Sequence, residues 1–256
     1  MIPAQRRGLI LDHLNRVNAA SITELAELIG VSPSTIRRDL EYLERENYID
    51  RTHGGAVLAR TRSMFEPHFE ISAHIARVEK AAIGREAAKR VEAGDSVIFD
   101  SSSTVREAAR AVIARRISLT AITNDLTTAS LFAQERGLST IVIGGTVRPG
   151  STTLIGSPGT NFLQEIHADL AFIGTHSICD LKLSETSIEA SHMKRAIIGA
   201  ASKVIVLADS SKFQEPSFSL ICTVDAVDEI ITDSKLPAEI AESIRSTGTT
   251  LTMVPV

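Results

Sequence analysis

Apolar positions in the first 45 residues recur with a helical period. Between Gln5 and Arg16 the stripe runs Leu9, Ile10, His13, Leu14 and Val17, which predicts an amphipathic helix. Ser21-Ile22-Thr23-Glu24 has the form of a capping box: the serine side chain can take the amide three residues on, and the glutamate can reach back. Leu25, Leu28 and Ile29 follow, and Gly30 predicts a left-handed stop. Ser32-Pro33 restarts a helix, with serine as N-cap and proline in the first turn. Its buried stripe is Ile36, Leu40 and Leu43. Ser34, Arg38, Glu41 and Arg45 lie opposite, with Thr35 and Arg37 on the flanks. Helix, tight glycine turn and a second capped helix form the helix-turn-helix layout.

The period is lost after Tyr48. Two short β-compatible runs flank His53-Gly54-Gly55, which predicts a hairpin wing beside the helices. From Ala76 onward helical stretches alternate with short apolar runs, among them Ser96–Asp100, Leu119–Ile122, Ala171–Gly174 and Val204–Leu207. That alternation predicts an open, mostly parallel α/β sheet covered on both faces. The expected organisation is a winged helix-turn-helix domain over 1–58, a linker over 59–75 and an α/β domain over 76–256.

Composition narrows the chemistry. Aromatic residues are 4% of the chain and Trp is absent, so stacking platforms for single-stranded nucleic acid are not expected. The net charge of -4 excludes a globally basic coat but not a local basic surface. Two cysteines, Cys179 and Cys222, are too few for a disulfide framework and lack zinc-site spacing. With no signal-like amino terminus and no apolar run approaching a membrane helix, a reduced, cytoplasmic protein without a membrane partner is expected. No metal site and no cofactor motif are expected either.

Two groups of residues carry candidate chemistry. Ser32, Ser34, Thr35, Arg37 and Arg38 open the second helix with the residue types that hold phosphates and read guanine edges, and Arg51, Thr52 and His53 stand at the wing. Paired arginines are ordinarily a solvated face, and bases and acids balance over 1–60. The local order of capped helix, tight turn, Arg-Arg helix and glycine wing is what points to double-stranded DNA. In the α/β part, ligands bind beyond the carboxyl ends of the strands. Asp100-Ser101-Ser102-Ser103-Thr104 stands at such an end and at a helix start, an anion cradle of hydroxyls and free amides. No Walker-type lysine follows, so a phosphate monoester on a small molecule fits better than a nucleotide. Thr123-Asn124, Gly144-Gly145, Gly174-Thr175-His176 and Asp209-Ser210-Ser211-Lys212 occupy other strand ends. Each alone is an ordinary cap or turn; their convergence on one edge points to a site.

These residues together resemble the DeoR-type family of bacterial transcription regulators over nearly the whole chain. The resemblance is carried by Arg7 through Ser32-Pro33-Ser34-Thr35-Ile36-Arg37-Arg38-Asp39-Leu40 and by His53-Gly54-Gly55-Ala56. It continues through Asp100–Thr104, Thr123-Asn124, Gly144-Gly145, Lys194-Arg195-Ala196 and Asp209-Ser210-Ser211-Lys212-Phe213. It implies a sensor domain related in fold to ribose-5-phosphate isomerase, and operator binding as a homo-oligomer, dimer or tetramer. It further implies repression of carbohydrate-catabolism genes, relieved by a phosphorylated sugar at Asp100–Thr104, with His176, Lys194 and Lys212 nearby. The chain departs from the family pattern at Ser102, where glycine is common, and at His176 and Cys179, where many relatives carry acids. The alternatives are a phosphosugar isomerase with an accessory amino-terminal domain, and a constitutive DNA-binding protein whose second domain only oligomerises. The acid-poor 175–179 segment disfavours the isomerase, which needs a carboxylate base.

Overall fold

The computed structural model describes residues 1–59, 63–65 and 69–256. The chain divides into two compact units, Met1–Arg77 and Val78–Val256. The expected linker, 59–75, falls partly outside the described residues.

The first unit runs α1 (Pro3–Val17), β1 (Ala19–Ser21), α2 (Ile22–Ile29), α3 (Pro33–Arg45), β2 (Ile49–Arg51), β3 (Gly55–Leu58) and the single turn α4 (Phe69–Ser72). The local signals act as their chemistry dictates. Ser21 and Glu24 close a full capping box on α2, and Gly30 ends that helix at φ 72°. Ser32 caps α3 by accepting the Thr35 amide. Ile10, Leu14, Leu25, Ile36, Leu40 and Leu43 are fully buried in one cluster. On α1 the buried stripe is turned relative to the sequence expectation: Leu11 goes inside, while Leu9 is 36% and Val17 45% exposed. The reason is a second contact. Gly8 lies so close to His74 that a methyl group there would overlap its Cβ, and Ile71 joins the same core. The wing hairpin pairs Asp50 with Val57, as the pattern requires. The sequence did not announce β1, which adds a third strand by pairing Ala20 with Ala56. Gly55 lacks a side chain because the Ala20 carbonyl occupies that space.

The second unit runs α5 (Arg77–Ala88), β4 (Ser96–Phe99), α6 (Ser103–Ala114), β5 (Leu119–Thr123), α7 (Leu126–Phe132), β6 (Leu138–Val142), β7 (Thr146–Val147), β8 (Leu154–Ile155) and α8 (Ser157–Gln164). It continues with β9 (Ala168–Ile173), β10 (Ser177–Cys179), β11 (Lys182–Glu185), α9 (Ile188–Gly199), β12 (Ala201–Leu207), β13 (Ser219–Thr223), β14 (Glu229–Asp233), α10 (Ala238–Ser246) and β15 (Thr250–Val254). Seven strands form one sheet in the order β15-β14-β12-β9-β4-β5-β6. Every pairing in it is parallel. Successive strand residues alternate between two cores: Ile98 joins one cluster, Val97 and Phe99 the other. Burial on both faces is why the central strands, such as β4 and β9, read as largely apolar runs.

The chain starts at central β4, winds outward to β6, then returns to β9 on the other side. The order therefore reverses between β4 and β9, and the crevice for a ligand lies beyond their carboxyl ends. A smaller antiparallel sheet, β10-β11-β13, was not foreseen. Its hairpin turns through Asp180 and Leu181 at φ 47° and 58°, a turn usually marked by asparagine or glycine.

Candidate functional site

In the first unit α3 presents its polar face from the cap outward. The Ser32 hydroxyl lies 2.9 Å from those of both Ser34 and Thr35, so three linked hydroxyls stand beside the helix amino terminus. Such a terminus, with free amides and a positive dipole end, favours phosphate oxygens. Arg37 and Arg38 follow, exposed and without an ion-pair partner among the described residues. Behind them, Asp39 is only 1% exposed. Arg6 holds it through two nitrogens, one of them Nη2 at 3.1 Å, and Arg7 Nε donates to it at 3.1 Å. The Arg7 guanidinium also stacks 3.5 Å over the Tyr42 ring. These contacts lock the rotation of α3 against α1, which keeps Arg37 and Arg38 outward. Arg51, Thr52 and His53 are exposed at the wing. The Thr52 amide closes the turn onto the Gly55 carbonyl at 3.0 Å. Arg51 turns back to α3, with Nη1 3.7 Å from Glu41 and 3.9 Å from Glu44.

In the second unit the switch point is built around Asp100. Its Oδ1 accepts the Ser102 amide at 2.6 Å, and its Oδ2 accepts the Gly174 amide at 2.9 Å. Lys194, reaching from α9, donates to the same Oδ2. Asp100 therefore ties the end of β4 to the end of β9 and to α9, and at 1% exposure it faces the protein. Ser102 caps α6 by accepting the Val105 amide at 3.1 Å. Ser101 and Ser103 are half-buried beside the opening amides of α6, and Thr104 is buried in its first turn. Gly174 must lack a side chain: a methyl group there would overlap Ser102 Cβ and Oγ.

The electrostatics are asymmetric. Burial alone lowers the Lys194 pKa, but Asp100 and then Glu185, 3.4 Å away, outweigh it, so the net shift is upward and the ammonium stays charged. His176 follows the end of β9. Burial, then the charge of Lys212, then that of Lys194, push its pKa down to about 3, so it is neutral at physiological pH. Lys212 is half-buried in a short turn after β12 and has no ion-pair partner among the described residues. Asp209 opens that turn: its Oδ1 accepts the Ser211 amide at 3.2 Å, while its Oδ2 is buried with no partner among the described residues.

The remaining predicted positions form a separate network. Thr123 is fully buried and its hydroxyl accepts the Asp125 amide at 3.1 Å. The Asn124 side chain donates to the Leu154 carbonyl at 3.2 Å, under the β7–β8 hairpin. Asp125 caps α7 and pairs with the buried Arg106 of α6 at 3.1 Å. Gly144 and Gly145 are exposed at the end of β6, and Gly145 lies against the Ile155 carbonyl at φ 148°. Thus Asp100–Thr104, His176, Lys194 and Lys212 gather around the switch point, while Thr123 and Asn124 build a neighbouring turn. Sequence reasoning missed Asp39, Glu185 and the Arg106–Asp125 pair. Only Asp39 left a signal, as an acid inside the apolar period of α3. A cleft of about 390 Å³ edged by Arg116 and Arg136 lies at the opposite ends of β5 and β6 and shares no residue with these loops. Among the described residues no cluster of His, Cys, Asp and Glu could hold a metal ion.

Residues 6–62 match the DeoR-like helix-turn-helix domain, and residues 75–234 match the DeoR C terminal sensor domain. The chain belongs to the DeoR-type family of transcriptional regulators. Its relatives include the HTH-type transcriptional repressor GlcR of Bacillus subtilis, 34% identical over 93% of this chain and 90% of that protein. The HTH-type transcriptional regulator GolR of Listeria innocua is 33% identical over 97% of each. The glycerol-3-phosphate regulon repressor of Escherichia coli is 30% identical over 94% of this chain and 95% of that one. Among solved structures, ribose 5-phosphate isomerase A of Methanocaldococcus jannaschii aligns over 53% of each chain at 20% identity, with a TM-score of 0.38. The eIF2B delta of Chaetomium thermophilum aligns over 79% of this chain and 64% of that one at 15% identity, with a TM-score of 0.47. Likenesses this slight bear on neither fold nor function. The DeoR-type assignment places α3 in the DNA-binding domain and the β4–α6 loop in the sensor domain.

Proposed function

We propose that this DeoR-type regulator is a cytoplasmic repressor of carbohydrate-catabolism genes, released by a phosphorylated sugar bound in its second unit. The observation that carries the sensor reading is the β4–α6 loop: a helix amino terminus with hydroxyls beside it, at the topological switch point, backed by Gly174 and flanked by Lys194 and Lys212. These are the elements that hold a phosphate monoester. The names of two relatives support the reading: GlcR is called a transcriptional repressor, and the other is called a glycerol-3-phosphate regulon repressor. On the DNA side, Ser32, Ser34, Thr35, Arg37 and Arg38 enter the major groove, with Thr52 and His53 of the wing at the backbone. Binding is as a homo-oligomer, so that two copies of α3 meet two half-sites. Effector and operator weaken each other's binding by the same factor, as linkage requires. The isomerase alternative loses ground at His176, whose pKa of about 3 makes it too weak a base for proton abstraction near neutral pH.

The test is fluorescence anisotropy on the duplex upstream of the protein's own gene, at fixed salt, with and without a panel of sugar phosphates. Tight binding released by one phosphate is expected. Tight binding indifferent to every phosphate in the panel would leave the DNA reading standing and remove the sensor reading.

A further inference from the structure

An acid stands where a DNA-reading helix ordinarily carries donors. Ser34, Arg38 and Glu41 are spaced four and three residues apart on α3, so they share one stripe of its surface. That stripe lies opposite the fully buried Ile36, Leu40 and Leu43. The Glu41 side chain is 59% exposed on it. A carboxylate there is repelled by DNA phosphates and weakens sequence-independent binding. Its compensating partners in the major groove are the exposed amino groups, cytosine N4 and adenine N6.

The second observation is the hold on this carboxylate. Arg51 on β2 places Nη1 3.7 Å from Glu41 Oε1 and 3.9 Å from Glu44 Oε2. The wing cation offsets the two acids and limits the rotamers open to Glu41, so its charge is directed before DNA arrives. Arg51 is thereby engaged with α3 and does not stand as a free phosphate contact.

From these placements we infer that Glu41, positioned by Arg51, is a specificity-determining residue of the DNA-binding unit. It reads an amino-bearing base, cytosine or adenine, close to a guanine read by Arg38. Three residues of helix advance about 4.5 Å, and successive base pairs are about 3.4 Å apart. The two bases therefore lie one or two steps from each other. This rests on α3 entering the major groove and goes beyond it by assigning a base class to one residue.

The experiment uses the full chain and a pool of randomised duplexes, carried through repeated binding and sequencing. It compares wild type, Glu41→Ala, Glu41→Gln and Arg51→Ala, followed by anisotropy titrations on the selected duplex, a single-base variant and a random duplex at one salt concentration. Wild type should select guanine with cytosine or adenine one or two steps away. Glu41→Ala should keep the guanine, lose the neighbouring preference, and discriminate there about ten-fold less. Its affinity for random duplex should not fall. Glu41→Gln should move the preference toward adenine, the natural partner of a carboxamide. Arg51→Ala should flatten the same position while sparing the guanine. If Glu41→Ala keeps every base preference of the wild type, or loses affinity equally for all duplexes, Glu41 reads nothing and the inference is overturned. If wild type selects no motif, the placement of α3 in the groove fails first and the inference falls with it.

Discussion

Arg7 on α1 and Asp39 on α3 are joined at 3.1 Å, and Asp39 takes Arg6 as well, at 1% exposure. One buried carboxylate thus fixes the rotation of α3 against α1. Arg6 and Arg7 are thereby both engaged within the first unit.

Removing that carboxylate should loosen the first unit. Asp39→Ala leaves two guanidiniums without their partner, but both are partly exposed and can turn to water. A cost of about 1.5–3 kcal/mol is expected, the range for hydrogen bonds to charged groups. Both tyrosines of the chain, Tyr42 and Tyr48, lie in the first unit, and Trp is absent. Tyrosine fluorescence during urea unfolding therefore reports this unit alone. An unchanged midpoint would show that the pair contributes nothing.

Lys194 should be the keystone of the switch point. Replacing it with methionine removes the cation that the buried carboxylates of Asp100 and Glu185 share. Breaking a buried pair from one side costs about 3–5 kcal/mol. Adding Asp100→Asn to Lys194→Met should restore part of the loss, giving a coupling of at least about 1 kcal/mol in the double-mutant cycle. Circular dichroism during urea unfolding measures it, and strict additivity would deny the interaction.

The elements of both units were legible where one physical signal dominates. Ser21-Glu24, Gly30 and Ser32-Pro33 are local rules, and they set the ends of α2 and α3 without help from the rest of the chain. The central strands β4, β9 and β14 announced themselves because both faces are buried, while edge strands β6 and β15 are only partly covered. The small sheet did not: Lys182–Glu185 mixes charged and apolar residues, and its pairing with β13 spans more than 30 residues. The candidate site divides the same way. Ser102 and Lys212 could be placed from strand ends, but the partnership of Asp100, Lys194 and Glu185 depends on where α9 folds back. Likewise Thr123 and Asn124 look like ligand-facing hydroxyl and amide in the sequence, and only the β7–β8 hairpin shows how they are enclosed.

His176 should make the second unit acid-sensitive. Its pKa is about 3 in the folded protein and roughly 6.5 in an unfolded chain. The unfolded state therefore binds the extra proton, and stability falls as pH drops from 6.5 toward 3, by up to about 1.4 kcal/mol per pH unit. Between pH 6.5 and 4.5 wild type should lose about 2 kcal/mol more than His176→Gln, since the variant lacks the titrating group. Equal losses in urea melts at the two pH values would refute the neutral, half-buried imidazole.

Gly174 and Ser102 should behave as one unit in anion binding. Gly174→Ala drives a methyl group into Ser102 and forces the β4–α6 loop away from β9. Overpacking of this kind costs about 1–3 kcal/mol, and displacing the α6 amino terminus removes the amides that would meet a phosphate. Calorimetric titration with inorganic phosphate should show binding weakened at least about ten-fold, since one lost charge-assisted hydrogen bond is worth that much. Ser102→Gly in the same chain frees the space, and its cost to the cap is only a few tenths of a kcal/mol. The double variant should therefore recover most of the affinity that Gly174→Ala loses. Recovery locates the phosphate at this loop. A double variant as weak as Gly174→Ala would mean that the contact between these two residues does not control the anion site.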